Sequence, residues 1–170
     1  MCLMNSSNCT YGLIKNNNDS INQLSKNRDE DAGLDLVCDL AKEIKLYSKA
    51  GLTWINDPDL QEIILPSFSR IILNTSVNIM VPPDHVGFIW DRSGLAANYG
   101  ITILAGCVDR GYIGDIKVVM FNSSFDDYII HNGDKIAQLL TIPCNLGRYL
   151  KVGSLDATAR GDSGFGSSGN

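Results

Sequence analysis

From Ala32 onward the chain falls into short apolar runs of four to eight residues, divided by Gly, Pro, Asn and Asp. They read "LDLVC", "EIKLY", "EIILP", "RIIL", "VNIMV", "VGFIW", "ITILA", "IKVVMF", "DYIIH" and "KIAQLLTI", and β-branched residues dominate them. Many short strands with frequent turn signals predict an all-β sandwich or barrel. A single stretch reads as a helix. "SGLAANYG" (93–100) opens on Ser93, a good N-cap, and closes on Gly100, a good residue just past a helix end. The segment "KAGLTWINDPDLQ" (49–61) interrupts the strand rhythm with Trp54, Asn56, Asp57 and Pro58 and is expected to be a long loop. Residues 1–30 are polar, with "KNNND" and the charged run "KNRDED", and are expected to be loose apart from a strand near Tyr11–Ile14.

The 170 residues fit one domain with a sizeable core, and an apolar fraction of 44% is ordinary for a soluble protein. No apolar run approaches the ~20 residues that span a bilayer. The start, "MCLMNSSNCTYG", lacks the basic region and long apolar core of a signal peptide, so the chain reads as intracellular, cytoplasmic or nuclear. A net charge of −5 argues against direct, non-specific nucleic-acid binding, which relies on cationic patches. It leaves room for a small anionic ligand held by a few arginines and a metal. The five cysteines are scattered without a C-x-x-C pair, which points to reduced thiols, and the two histidines lie far from any zinc-like spacing.

Five stretches carry chemistry. "DAGLDL" (31–36) sets Asp31 and Asp35 around a glycine at a strand start: a carboxylate for Mg²⁺ or its water shell, or an aspartate-rich turn. "DRSGLA" (91–96) puts Arg92, Ser93 and Gly94 at a helix entry, where unpaired amides and a planar guanidinium suit phosphate oxygens, or where a serine simply caps the helix. "AGCVDRGYIGDIKVVMFN" (105–122) looks like a hairpin punctuated by Gly106, Gly111 and Gly114. In it a partly shielded Asp109 suits a general base and Tyr112 a ring pressed on a ligand, or both are turn and packing residues. "GDKIAQLL" (133–140) holds Gln138 in an apolar strand, an amide that needs partners in the backbone or in a phosphate. "RGDSGFGSSG" (160–169) combines Arg160 and Phe165 with a glycine-serine background: a phosphate wrap with a stacking ring, or a disordered tail. Its Arg-Gly-Asp tripeptide also spells an adhesion motif, a use that needs secretion.

These five stretches, in this order over residues 31–169, resemble the motifs of the trimeric dUTPase family. The resemblance implies a distorted jelly-roll β fold with one short helix, in a homotrimer whose C-terminal arms are exchanged. The domain is expected over 31–155, with 49–61 an inserted loop, and the mobile arm over 156–170. The implied reaction is Mg²⁺-dependent hydrolysis of dUTP to dUMP and pyrophosphate, which keeps uracil out of DNA and supplies dUMP for thymidylate synthesis. In the family each site is shared: one subunit gives the first, second and fourth motifs, a neighbour the third, and a third subunit the arm.

Carried over by position, Asp109 is the base that orients water, and Tyr112 lies beneath the deoxyribose. The backbone from Ile103 to Cys107, Gly106 included, reads uracil, and Asp35 holds Mg²⁺ through water. Arg92, Ser93, Gly94 and Gln138 contact phosphates. Arg160, Phe165, Gly166, Ser167 and Ser168 form the closing arm. The sequence departs from the family where the second motif usually begins with proline, here Asp91, and where Ser168 replaces a common threonine. Asp162 adds a negative charge to the arm. The related dCTP deaminases need a glutamate at the place of Val119, whose neighbours Val118 and Met120 are apolar too. The other alternative is a dUTPase-like binding protein that meets a protein partner through 49–61, with Trp54 as an anchor.

Overall fold

The computed structural model describes residues 13–16, 30–145, 147, 149–159 and 161. The elements run β1 (Leu13–Asn16), β2 (Leu34–Val37), β3 (Ile44–Ser48), β4 (Gly51–Ile55), β5 (Glu62–Leu65), β6 (Arg70–Met80), β7 (His85–Trp90), α1 (Ser93–Tyr99), β8 (Ile101–Leu104), β9 (Cys107–Val108), β10 (Asp115–Asn122), β11 (Tyr128–His131) and β12 (Lys135–Pro143). The chain is all-β with one short helix among the described residues, as its sequence predicts. Among those residues no helix is long and apolar enough to cross a membrane.

The strands form two main sheets. One has the order β4-β3-β6-β10-β8, with β1 also paired to β6; the other runs β2-β12-β7-β9. A two-stranded ladder joins β5 and β11. The pairings in these sheets are antiparallel. Alternation along the strands sets the core. In β10 Ile116, Val118, Met120 and Asn122 turn inward while the residues between them face out. The three apolar ones meet Leu36, Leu40, Ile44, Leu65, Ile71, Leu73 and Ile136 in one cluster. The polar Asn122 is tolerated there because its Nδ2 donates to the carbonyls of Leu65 and Asp126.

Three local expectations change. Gly51–Ile55, inside the expected 49–61 loop, is a strand: β4 pairs residue for residue with β3 around a tight turn at Lys49–Ala50, with Gly51 at φ 110°. "GLTWI" has the β-branched and aromatic content of a strand, and the turn glycine hid its pairing with "IKLYS". Trp54 does not hang on a loop; Lys45 lies over its ring, 4.1 Å from the centroid. Only 56–61 is irregular, closed by an aspartate turn in which the Asp59 amide donates to Asp57 Oδ1 at 2.9 Å. Second, "RIIL" and the first four residues of "VNIMV" belong to one eleven-residue strand, β6, which passes through Ser76 at φ 54°. Third, the helix is capped by Arg92, not Ser93. Arg92 keeps extended backbone angles and accepts the Ala96 amide at 3.0 Å, so Ser93 is already helical. Gly100 ends the helix as expected, in the left-handed conformation at φ 66°.

Candidate active site

The register of β12 brings three distant motifs together. Gln138 lies opposite Asp35 of β2 on one side and Trp90 of β7 on the other. The ladder therefore sets the first motif, the end of β7 with the second motif, and the fourth motif side by side. A cleft of about 460 Å³ opens there, lined by Asp31, Gly33, Asp35, Arg92, Ser93, Gly94 and Gln138 among others.

Its polar groups hold one another. Asp35 is nearly buried; Arg92 Nε stands 3.2 Å from its Oδ1 and Lys135 Nζ 2.7 Å from its Oδ2. Arg92 Nη1 also donates to the Lys135 carbonyl at 3.0 Å. With Asp31 also on the lining, two carboxylates face two cations, and the Arg92 guanidinium is the planar donor that suits a phosphate oxygen. Gln138 Nε2 donates to the Asp91 carbonyl at 2.8 Å, and its side chain folds over Gly33, where any Cβ would collide with Oε1. Ser93 and Gly94 are exposed on the first turn, and a Cβ at Gly94 would meet nothing within 4 Å. The phosphate-contact candidates of a single chain thus converge on one cleft.

Asp109 and Tyr112 do not join them. They line a second cleft of about 220 Å³ with Ile89, Ala105, Cys107, Val108, Ile116 and Lys117, and no residue lines both clefts. The hairpin around them is propped by its own backbone. The Tyr112 amide donates to the Asp109 carbonyl at 3.0 Å, and the Tyr112 hydroxyl donates to the Asp115 carbonyl at 2.8 Å. Gly114 lets the tyrosine ring fold back: a Cβ there would lie 2.7 Å from Oη and 2.8 Å from Cζ. From β6, Asn78 Nδ2 donates to the Ile113 carbonyl at 3.0 Å and to Asp115 Oδ1 at 2.9 Å. Asp109, expected to be partly shielded, is exposed, because among the described residues no element lies over the hairpin tip. Gly106 packs so closely on Ile89 that a Cβ would strike its carbonyl oxygen. Arg160, Phe165, Gly166, Ser167 and Ser168 lie outside the described residues.

The dUTPase family model matches residues 58–169. The chain belongs to the dUTPase family. It is 42% identical over 110 residues to the deoxyuridine 5'-triphosphate nucleotidohydrolase of Paramecium bursaria Chlorella virus 1, covering 65% of this chain and 78% of that protein. It is likewise 42% identical over 111 residues to the protein of that name from Saccharomyces cerevisiae, covering 65% and 76%. Its fold is similar to a solved structure of the Staphylococcus bacteriophage 80alpha dUTPase, a G164S mutant with dUpNHpp. That likeness has a TM-score of 0.75 at 20% identity and covers 95% of this chain and 100% of that one.

Two residues of this family site escape a reading of motifs. Lys135 sits inside "GDKIAQLL", yet only the register Lys135 to Val37 reveals that it reaches Asp35. Asn78 sits inside an apolar run that reads simply as a strand, and its grip on the third-motif hairpin is a contact between residues 35 and 37 positions apart.

Proposed function

We propose that this chain hydrolyses dUTP to dUMP and pyrophosphate in sites completed between the subunits of a homotrimer. One observation carries the reading: within a single chain the family's motifs divide into two clefts, each chemically incomplete. The Asp35–Arg92–Lys135–Gln138 cleft offers cations and donors for a triphosphate, while the base candidate Asp109 and the ring of Tyr112 stand exposed on a separate hairpin. Docking the hairpin of one subunit against the cleft of another supplies what each lacks and shields Asp109.

In that arrangement Arg92, Ser93, Gly94 and Gln138 bind phosphate oxygens. Tyr112 lies against the deoxyribose and the backbone from Ile103 to Cys107 reads uracil. The arm with Arg160, Phe165, Gly166, Ser167 and Ser168 closes over the nucleotide. Asp109 accepts a proton from water as its oxygen bonds to the α-phosphorus; the bond to the α,β-bridging oxygen breaks and pyrophosphate leaves. Positioning and electrostatics supply the rest of the rate.

The donor set fits Mg²⁺ held through water. Among the described residues no three His, Cys, Asp or Glu side chains form a ligand cage. Asp35, a carboxylate on the cleft wall, would hold such an ion through its waters rather than directly. Bound there, Mg²⁺ neutralises phosphate charge. The test is pyrophosphate release from dUTP, dCTP, dTTP and UTP. The expected result is rapid release from dUTP alone; ammonia release from dCTP, or no release from dUTP, overturns the reading.

A further inference from the structure

Asp91 precedes Arg92, yet its carboxylate turns away from the cleft that Arg92 lines. Asp91 Oδ1 accepts the Ile103 amide at 2.6 Å, and the Thr102 hydroxyl donates to Oδ2 at 3.0 Å and to Oδ1 at 3.3 Å. The main-chain oxygen of the same residue accepts Gln138 Nε2 at 2.8 Å. One residue therefore touches the phosphate cleft through its backbone and β8 through its side chain.

β8 is an edge strand, bonded to β10 on one side. In an antiparallel ladder alternate residues direct their backbone groups away from the partner, and an edge leaves those groups unsatisfied. The Ile103 amide is such a group, and the Asp91 carboxylate takes it. Two residues earlier, the Ile89 amide donates to the Gly106 carbonyl at 2.7 Å. The stretch from Ile103 to Gly106 is thus pinned at both ends by the end of β7. Between the pins Ala105 is held at φ 56°, a conformation that costs a residue with a Cβ. A groove of about 310 Å³ runs along this contact, lined by Phe88, Ile89, Trp90, Asp91, Thr102, Ile103 and Gly106.

We propose that Asp91 is a positioning residue for base selection: its carboxylate fixes the edge of the 103–106 stretch in register with the phosphate cleft. The inference rests on the assignment of that stretch to uracil under the dUTPase reading. Recognition by backbone groups depends on their spacing, and a base with a different donor and acceptor pattern is rejected only while the spacing is held. The same contacts turn the negative charge of Asp91 toward β8, while Arg92 pairs with Asp35.

The experiment compares kcat and KM for dUTP and dCTP in the full chain and in Asp91→Ala, Asp91→Asn and Asp91→Pro. In Asp91→Ala the ratio of kcat/KM for dUTP over dCTP falls about tenfold, the effect of one charge-assisted hydrogen bond. The loss is in KM for dUTP, with kcat nearly unchanged. Asp91→Asn, whose amide oxygen still accepts the Ile103 amide, keeps most of the discrimination. If Asp91→Ala does not fold, Asp91→Pro gives the same reading, because proline too removes the carboxylate that accepts the Ile103 amide. Wild-type discrimination in Asp91→Ala and Asp91→Pro overturns the inference while leaving the dUTPase reading intact. Absence of dUTP hydrolysis in the wild-type chain overturns both.

Discussion

In the cleft at the start of α1, Asp35, Arg92, Lys135 and Gln138 bond to one another or to the cleft's backbone. On the third-motif hairpin, Asp109 stands exposed and the structure is kept by Tyr112, Gly114 and Asn78 around it. The first region is preorganised by its own sheet, which fixes its charges against one another. The second is a hairpin held by its own hydrogen bonds, with no other described residue of the chain covering Asp109. The contrast teaches that changes at the cleft act on stability and binding together, whereas changes at the hairpin tip separate chemistry from folding.

Asp109→Asn exploits that separation most strongly. Turnover of dUTP is expected to fall about a thousandfold, the scale of a lost general base. Thermal unfolding should stay near wild type, since exposed substitutions away from special contacts shift stability by about 0.5 kcal/mol at most. Binding of dUTP with Mg²⁺ by calorimetry should persist. A variant that turns over normally removes Asp109 from the chemistry.

Asp35→Ala tests the cleft. It leaves Arg92 and Lys135 beside each other without their shared carboxylate. The expected cost is about 2 kcal/mol in unfolding free energy, with KM for dUTP raised on the order of tenfold. Stability and KM should move together, in contrast with Asp109→Asn. Unchanged urea unfolding shows that the triad contributes no stability.

Two glycines sharpen the comparison at smaller scale. Gly94 has open space where a side chain would go, whereas a Cβ on Gly106 meets the Ile89 backbone. Gly94→Ala should hold or raise the melting temperature, because alanine favours a helix by about 1 kcal/mol, and still weaken dUTP binding by closing the phosphate approach. Gly106→Ala should lower stability by about 1–3 kcal/mol. The reverse ranking of melting temperatures contradicts these assignments.

The fold was legible because its code is local. Each strand of β10 or β12 type announces itself by its own run of β-branched residues, and Gly100 ends the helix by backbone conformation alone. β4 was not, since "GLTWI" lies on the exposed edge of its sheet and carries no buried alternation. The phosphate candidates were found through motif resemblance, but their grouping depends on the pairing of β12 with β2 and β7, which no single segment encodes. Asp91 illustrates the limit most clearly. As a letter it looks like a charge out of place beside Arg92; in space its carboxylate belongs to β8.

Two thiols, one in the core and one on the hairpin, give the mildest test. Cys38 follows β2, is fully buried and donates to the His131 carbonyl at 3.0 Å; Cys107 is exposed on the hairpin cleft. Burial pushes the Cys38 thiol from an ordinary value near 9.0 up to about 12. Between those values the unfolded chain loses a proton that the folded chain keeps, so the folded state binds more protons and stability falls as pH rises. The slope is about 1.4 kcal/mol per pH unit, and below the lower value the group contributes no pH dependence. Comparing urea unfolding of wild type and Cys38→Ala from about pH 8 to about pH 10.5 isolates this slope from other titrating groups. Equal pH slopes in the two proteins refute it. In native protein a thiol reagent should label Cys107 and reach Cys38 only on unfolding, because the thiolate that reacts is withheld in the core.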